Sequence, residues 1–443
     1  MSRDTDRRNA NMLDSLSRAL EGARPFAERL FAALQAGSRD ERGGVTRASY
    51  GEGEQFAHRL VAAEAKELGL RVSGDAACNT YMTLPGSGAS GRSIVIGSHL
   101  DSVAQGGNYD GAAGVVAGLA VLKMLKSCGF EPACDLVVMG VRAEESAWFQ
   151  TSYIGSKAAL GLLEEAALSA QRVDTGRSLA EHIALAGGRP QQLLERHVFL
   201  DPGKIDAYIE VHIEQAPSLV HAGNVIAVGT AIPGNFRYKE IRVRGETAHV
   251  GLPRRFRRDA LKAAVDFVGA MDDIWQQWET AGRPMALTVG RFHTDPDNDA
   301  MTKVPGEVRF SIDVRAYDEQ DLAELHGHMQ RIIAAIEERR GVSFDLGRRT
   351  TAQVARMDEG ICDQLHAIAR QRRWPVQRLP SPASHDAAVF CAAGVPTGLL
   401  LIRNEHGSHN PREALELDDF MAAVDVLARW IVRHRPSEPA TAA

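Results

Sequence analysis

The chain has 443 residues, 44% hydrophobic and 24% charged, a balance ordinary for a soluble globular protein. Its 51 basic and 57 acidic residues leave a net charge of −6, which argues against nucleic acid as the main partner. No apolar run reaches the roughly 18 residues of a membrane helix, and the five scattered cysteines fit reduced thiols in the cytoplasm, not a disulfide framework.

The opening MSRDTDRRNANMLDSL carries charges without an apolar core, so it does not read as a secretory signal. The first ninety residues read as helical, with periodic runs over Met12–Leu34 and Glu54–Leu70. A strand–helix rhythm follows. Ser93–Gly97 (SIVIG) and Leu136–Val141 (LVVMGV) are short apolar runs of the buried-strand type, with a helix predicted over Gly111–Lys126 between them. Tyr208–Ile213 and Gly398–Ile402 are two more such strands. Continuous apolar strands separated by helices predict an α/β fold, a mostly parallel sheet with helices on both faces.

The middle of the chain differs. Ile241 and Val243 alternate with arginines, and Val308, Phe310, Ile312 and Val314 alternate with polar residues. That period of two predicts a half-exposed sheet. Helices are predicted near Arg258–Trp278 and Gln320–Arg339, and strands near Ala286–Phe292 and Val342–Leu346. The order β-α-β-β-α-β is the ferredoxin-like pattern. It predicts an inserted α+β domain over 232–348, flanked by 1–231 and 349–443 as two parts of one α/β domain. Residues near Ile232–Asn235 and Gly347–Thr351 are the expected hinges, and RPSEPATAA at the end reads as a disordered tail.

Histidines and carboxylates gather after the predicted parallel strands, where open α/β sheets place ligand sites. After SIVIG comes His99, with Asp101 two residues on: an imidazole able to ligate a metal and a carboxylate able to fix its tautomer. Asp110 precedes a helix and taken alone reads as its N-cap; the functional reading is a carboxylate bridging two ions. Glu144 and Glu145 follow LVVMGV, either as a solvated acidic loop or as a general base beside a ligand. YIEVHIEQ sets Glu210, His212 and Glu214 on one strand face, and HGSHNP supplies His406 and His409. Jointly, strand ends offering nitrogen and oxygen donors without thiolates point to a zinc-type or similar divalent site. No GxSxG elbow occurs, and no phosphate-binding glycine loop.

The set GSHLDSV, NYDGAAGV, AEES, VHIEQ and HGSHNP resembles the M20-type metallopeptidase/amidohydrolase superfamily. More narrowly it resembles the hydantoinase/carbamoylase branch, which includes N-carbamoyl-L-amino acid hydrolases, β-ureidopropionases and allantoate amidohydrolases. The resemblance implies two divalent ions per subunit, zinc or manganese, with cobalt or nickel as alternatives. It implies His99 and His212 on the first ion, Glu145 and His409 on the second, and Asp110 bridging. Glu144 would be the general base and Asp101 the residue orienting His99. His249 would steady the oxyanion, Arg315 would grip a substrate carboxylate, and Gln215, His385 and Thr302 would face substrate. The inserted domain would act as lid and dimerise the protein, so that a site draws on both subunits.

The sequence departs from the branch in places. Trp148 stands where an arginine is expected, Ala216 where glycine is common, and Thr302 where asparagine is usual. LPRRFRRDA carries extra arginines. These departures spare every expected ligand. The implied reaction is hydrolysis of an N-carbamoyl-L-amino acid to the amino acid, ammonia and carbon dioxide. Allantoate, a β-ureido acid, or a dipeptide or N-acyl amino acid on the same site are the alternatives. A non-catalytic binding protein on a decayed hydrolase scaffold should have lost ligands, and none is missing.

Overall fold

A computed structural model describes residues 2–87 and 91–435, with side chains from residue 12 onward. The expected C-terminal tail lies outside the described residues apart from Arg435. By contact density the chain divides into two compact units: residues up to Thr230 together with those from Arg356, and Ala231–Ala355.

The larger unit is built on an eight-stranded sheet. Its centre is parallel: Asp135–Val141, Ser93–His99, Ile205–Ile213 and Thr397–Ile402 lie side by side in that order. Every residue of Ile205–Ile213 is buried, so both faces of the sheet are covered there. The helix Ala112–Ser127 is buried along nearly its whole length. It packs against Ser2–Ser38 and Leu417–Arg433, which explains its lack of a polar face.

The sheet edges correct the sequence reading. The first ninety residues are not all helical: Arg71–Gly74 and Thr80–Leu84 form an antiparallel edge pair beside Asp135–Val141. The strands Ile226–Gly229 and Val376–Leu379 extend the other edge. All four are four or five residues long, too short for a clear period-two signal.

The smaller unit follows the expected element order. Its sheet runs Met285–Thr288, Glu307–Ala316, Gly234–Arg244, Ser343–Asp345, all antiparallel. The predicted strand over 286–292 is instead two pieces, Met285–Thr288 and Phe292–Thr294, both paired with Glu307–Ala316. The helices Ala260–Thr280 and Glu319–Arg340 lay apolar stripes on the sheet, Phe267 and Met271 from one and Leu325, Met329 and Ile336 from the other. Each such buried side chain contributes roughly 1.5–3 kcal/mol. The segments expected as hinges lie largely in strands. Gly234 and Asn235 open a long strand, and Arg349–Ala352 pairs with that strand, so ladder hydrogen bonds hold both segments.

Candidate metal centre

The four parallel strands present their carboxyl ends together, and the donors sit there. His99 is the last residue of its strand, and His212 the penultimate residue of the next. Glu144 and Glu145 follow Asp135–Val141, and His409 lies in the loop after Thr397–Ile402. The backbone bends sharply to place them. Ala143, Gln215 and His409 all have positive φ (52°, 63° and 60°), a conformation L residues rarely hold unless the surroundings enforce it. Gly111 (φ 66°) must lack a side chain, because a Cβ there would lie 2.5 Å from the His99 ring.

Asp110 is the hub. Its Oδ1 lies 3.2 Å from His212 Nε2 and 3.5 Å from His99 Nε2, and its Oδ2 lies 3.3 Å from His409 Nε2. His409 Nε2 is also 3.2 Å from Glu145 Oε1. Three donor groups result, each with its ligand atoms within 4.8 Å of one another: His99, Asp110 and His212; Asp110, Glu145 and His409; and His99, Glu144 and Glu145. Asp110, like His99 and Glu145, belongs to two of them, and its two oxygens face different histidines, Oδ1 toward His99 and His212 and Oδ2 toward His409, as a carboxylate shared between neighbouring cations would.

The hydrogen bonds show that these residues fit a cation. His99 Nδ1 faces the Asp101 carbonyl at 3.0 Å, and His212 Nδ1 faces the Ile213 carbonyl at 2.9 Å. A carbonyl accepts only, so in the neutral form of both rings Nδ1 carries the proton and Nε2 a lone pair. The two Nε2 atoms then face each other at 3.4 Å beside a carboxylate. Lone pairs so placed in a buried site call for a positive ion between them. The carboxylates around the rings likewise favour positive charge in the site, whether an ion or a second ring proton supplies it. Burial opposes charge on His99, yet hydrogen bonds to Asp101 and Asp110 hold its pKa well above the usual imidazole range. Burial would raise Asp110, but His212, His409 and His99 hold it well down. Loss of water pushes half-buried Glu144 well up, against the pull of His99.

Asp101 does more than orient His99. Its Oδ1 accepts from the Glu144 amide and its Oδ2 from the Glu145 amide, both at 3.1 Å, and Ser49 Oγ donates to Oδ2 at 2.6 Å. One buried carboxylate thus fixes both acidic residues. Two supports were not foreseen. Glu413 Oε1 accepts from the amides of Tyr109 (2.8 Å) and Asp110 (3.2 Å), and its Oε2 from Ser408 Oγ (2.7 Å). Ser408 Oγ in turn contacts Asp110 Oδ2. Burial, then the nearby Asp110 charge, pushes Glu413 up to about 7. A carboxylate four residues after His409 was the one available signal, and no periodicity marks it.

Gln215 donates to Asp110 Oδ2 at 2.9 Å, and its Oε1 is left without a partner. His385 is buried, 2.7 Å from Ser381 Oγ, with its ring 4.4 Å from that of His212. Trp148 turns inward: its indole N–H donates to the Ser102 carbonyl at 2.8 Å. It therefore braces the loop that carries Asp101. His249, Thr302 and Arg315 belong to the smaller unit. His249 is exposed on the short strand Ala248–His249, and the next residue, Val250, bonds the Thr302 carbonyl at 2.9 Å. Arg315 pairs with Asp313 at 3.1 Å, and Arg237 shares that carboxylate.

With histidines and carboxylates converging at the parallel strand ends of a mixed α/β unit, the chain is similar to hydrolases that act on linear amides. The chain belongs to Peptidase family M20/M25/M40, whose model matches residues 95–433. It is 33% identical over 393 residues to an N-carbamoyl-L-amino acid amidohydrolase of Geobacillus stearothermophilus, covering 87% of this chain and 92% of that protein. It is 29% identical to an allantoate amidohydrolase of Bacillus subtilis, covering 84% and 88%. A hydantoinase/carbamoylase family amidase from Burkholderia multivorans superposes with a TM-score of 0.81 at 28% identity, covering 92% of this chain and 97% of that one. Among the described residues, no helix is long and apolar enough to cross a membrane.

Proposed function

We propose that the protein hydrolyses N-carbamoyl-L-amino acids to the amino acid, ammonia and carbon dioxide. The observation that carries this reading is the pair of donor groups sharing Asp110, with Glu144 beside them. His99, His212 and Asp110 would hold one divalent ion, and Asp110, Glu145 and His409 a second. Zinc or manganese would be the ion, and cobalt or nickel also suits histidine and carboxylate donors. When bound, such ions supply Lewis acidity, which polarises the ureido carbonyl and makes water nucleophilic near neutral pH.

The chain's own residues perform the remaining tasks. Glu144 accepts a proton from the attacking water and delivers it to the departing nitrogen. Asp101 keeps Glu144 in place through its amide. His249 steadies the oxyanion, and Arg315 binds the α-carboxylate through its planar fork. Gln215, His385 and Thr302 complete the substrate contacts. Residues 232–348 form a lid between two parts of the catalytic domain, 1–231 and 349–443. Two chains pair through that lid. The five unpaired cysteines support a cytoplasmic setting.

Allantoate is the competing substrate, favoured by the similar identity to the Bacillus subtilis relative. The test is ammonia release from N-carbamoyl-L-amino acids, allantoate and β-ureidopropionate, with dipeptide cleavage assayed alongside. Metal-stripped protein is compared with protein re-supplied with zinc, manganese or cobalt. Metal-dependent release from N-carbamoyl-L-amino acids is expected. Turnover of allantoate alone, or of dipeptides alone, overturns the assignment.

A further inference from the structure

The smaller unit holds a groove of about 1010 Å³ that the hydrolytic reading does not use. Arg254, Arg255, Arg257 and Arg258 line it from the loop before the helix Ala260–Thr280, and Lys262 from that helix's first turn. Arg339 and Arg340 enter from the end of the helix Glu319–Arg340. The only carboxylates on its wall are Glu246 and Asp266. Seven cations against two anions give a local excess of five positive charges, in a chain whose net charge is −6.

Some of these cations have structural work. Arg258 pairs with Glu246 at 2.9 Å, and Arg339 and Arg340 share Asp266. Arg339 and Arg340 also face the negative end of their own helix. Arg257 donates to the Leu252 and Val250 carbonyls and so braces the loop. That accounts for four. Arg254 and Lys262 have no ion-pair partner among the described residues, and Arg255 lies over the Phe256 ring, 4.7 Å from its centroid. Phe256 itself is 57% exposed. Like charges crowded on one wall repel, and an anion seated among them relieves that repulsion. Guanidinium forks suit phosphate oxygens in particular.

We propose that this groove binds an oligophosphate, a small ligand with two or more linked phosphate groups. The charge excess matches a ligand carrying several negative charges rather than one. Its source is either a free polyphosphate or a nucleoside polyphosphate, whose base would stack on Phe256. The site goes beyond the hydrolytic reading and stands independently of it.

The probes are inorganic tripolyphosphate and ATP, titrated into the metal-loaded full chain by calorimetry. Because both anions chelate divalent ions, amide hydrogen exchange locates the binding. Protection is expected at 252–262 and 337–342, not at the strand ends of the larger unit. The double variant Arg254→Ala/Arg255→Ala should weaken tripolyphosphate about tenfold or more. The control Arg291→Ala/Arg331→Ala, which removes the same charge elsewhere in the smaller unit, should not. ATP binding more tightly than tripolyphosphate identifies a nucleotide source; equal affinity identifies the phosphate chain alone. No protection at 252–262, equal weakening by the control, or binding of single-stranded RNA without tripolyphosphate overturns the proposal.

Discussion

Within residues 231–355, Asn235 is the single buried polar side chain among the described residues, whereas the larger unit buries Arg47, Glu54, His58, Asp75, Asp101, Asp110 and many others. The smaller unit has an apolar core between two helices and a sheet, and its charges lie on the surface. The larger unit places ionisable groups inside and gives each a partner. Arg142 Nη1 donates to Glu54 at 2.9 Å, and Asp75 accepts from Asn79 and Tyr81, both at 2.7 Å. Buried charge costs stability unless paired, so such an interior is retained for geometry. The candidate donor groups accordingly lie in the interior of the larger unit, while the smaller unit carries its charge on the surface.

The sharpest way to break that contrast is Glu144→Gln. The amide keeps the shape of the side chain but cannot take a proton. Turnover should fall by about three to four orders of magnitude, the upper range for general acid–base catalysis. Bound metal per chain, measured by mass spectrometry, should not change, because Asp110, Glu145 and the three histidines remain. Retained turnover in a metal-replete variant would remove Glu144 from the chemistry. Glu413→Ala should act on the metal instead. It strips the acceptor from the Tyr109 and Asp110 amides and from Ser408, so Asp110 loses its support. Metal affinity should drop roughly 10–100-fold, the usual effect of losing an outer partner. Glu413→Gln should fall between, since its carbonyl still accepts from the two amides. Metal retention against a chelator that is equal in all three proteins would show that Glu413 supports nothing.

Legibility in the sequence followed the same division. The buried strands and the alternating strands of the smaller unit were readable because each shows an unbroken apolar run or a clean period over five or more residues. The short edge strands were not. Arg71–Gly74 pairs in register with Thr80–Leu84, and such pairing depends on a neighbour that the four residues do not advertise. His99, Asp110, Glu145, His212 and His409 were legible as a set, because each stands at or just past a recognisable strand, or at the helix start that follows one. Glu413 was not, because its part is to accept hydrogen bonds from backbone amides some 300 positions away, a relation created by the fold. The role of Trp148 was not legible for a related reason: its N–H bonds the carbonyl of Ser102, a partner the fold brings to it.

The smallest predicted effect concerns stability alone, and it separates the two interiors. His58 is buried on the helix Glu52–Glu67, with Nδ1 at 2.8 Å from Thr80 Oγ1 and Nε2 unpartnered. Burial first, then the Arg142 charge, holds its pKa well below the ordinary value of 6.5. It is therefore neutral when folded and protonates more readily when unfolded. Its contribution is fully present above pH ~6.5 and is lost as the pH falls toward the folded value. Glu54 and Asp75, held high by burial, push the other way, so the comparison must be with His58→Gln rather than with neutral pH alone. Relative to that variant, the wild type should lose about 1.4 kcal/mol for each pH unit below ~6.5, the linkage expected of one proton. Hydrogen exchange localises the effect. Amides of Glu52–Glu67 and Asp135–Val141 should lose protection in acid more steeply in the wild type than in the variant. Those of Glu319–Arg340, over a core without buried charge, should be the same in both. Equal acid slopes in wild type and variant at Glu52–Glu67 would mean that the buried imidazole is not held neutral by its surroundings.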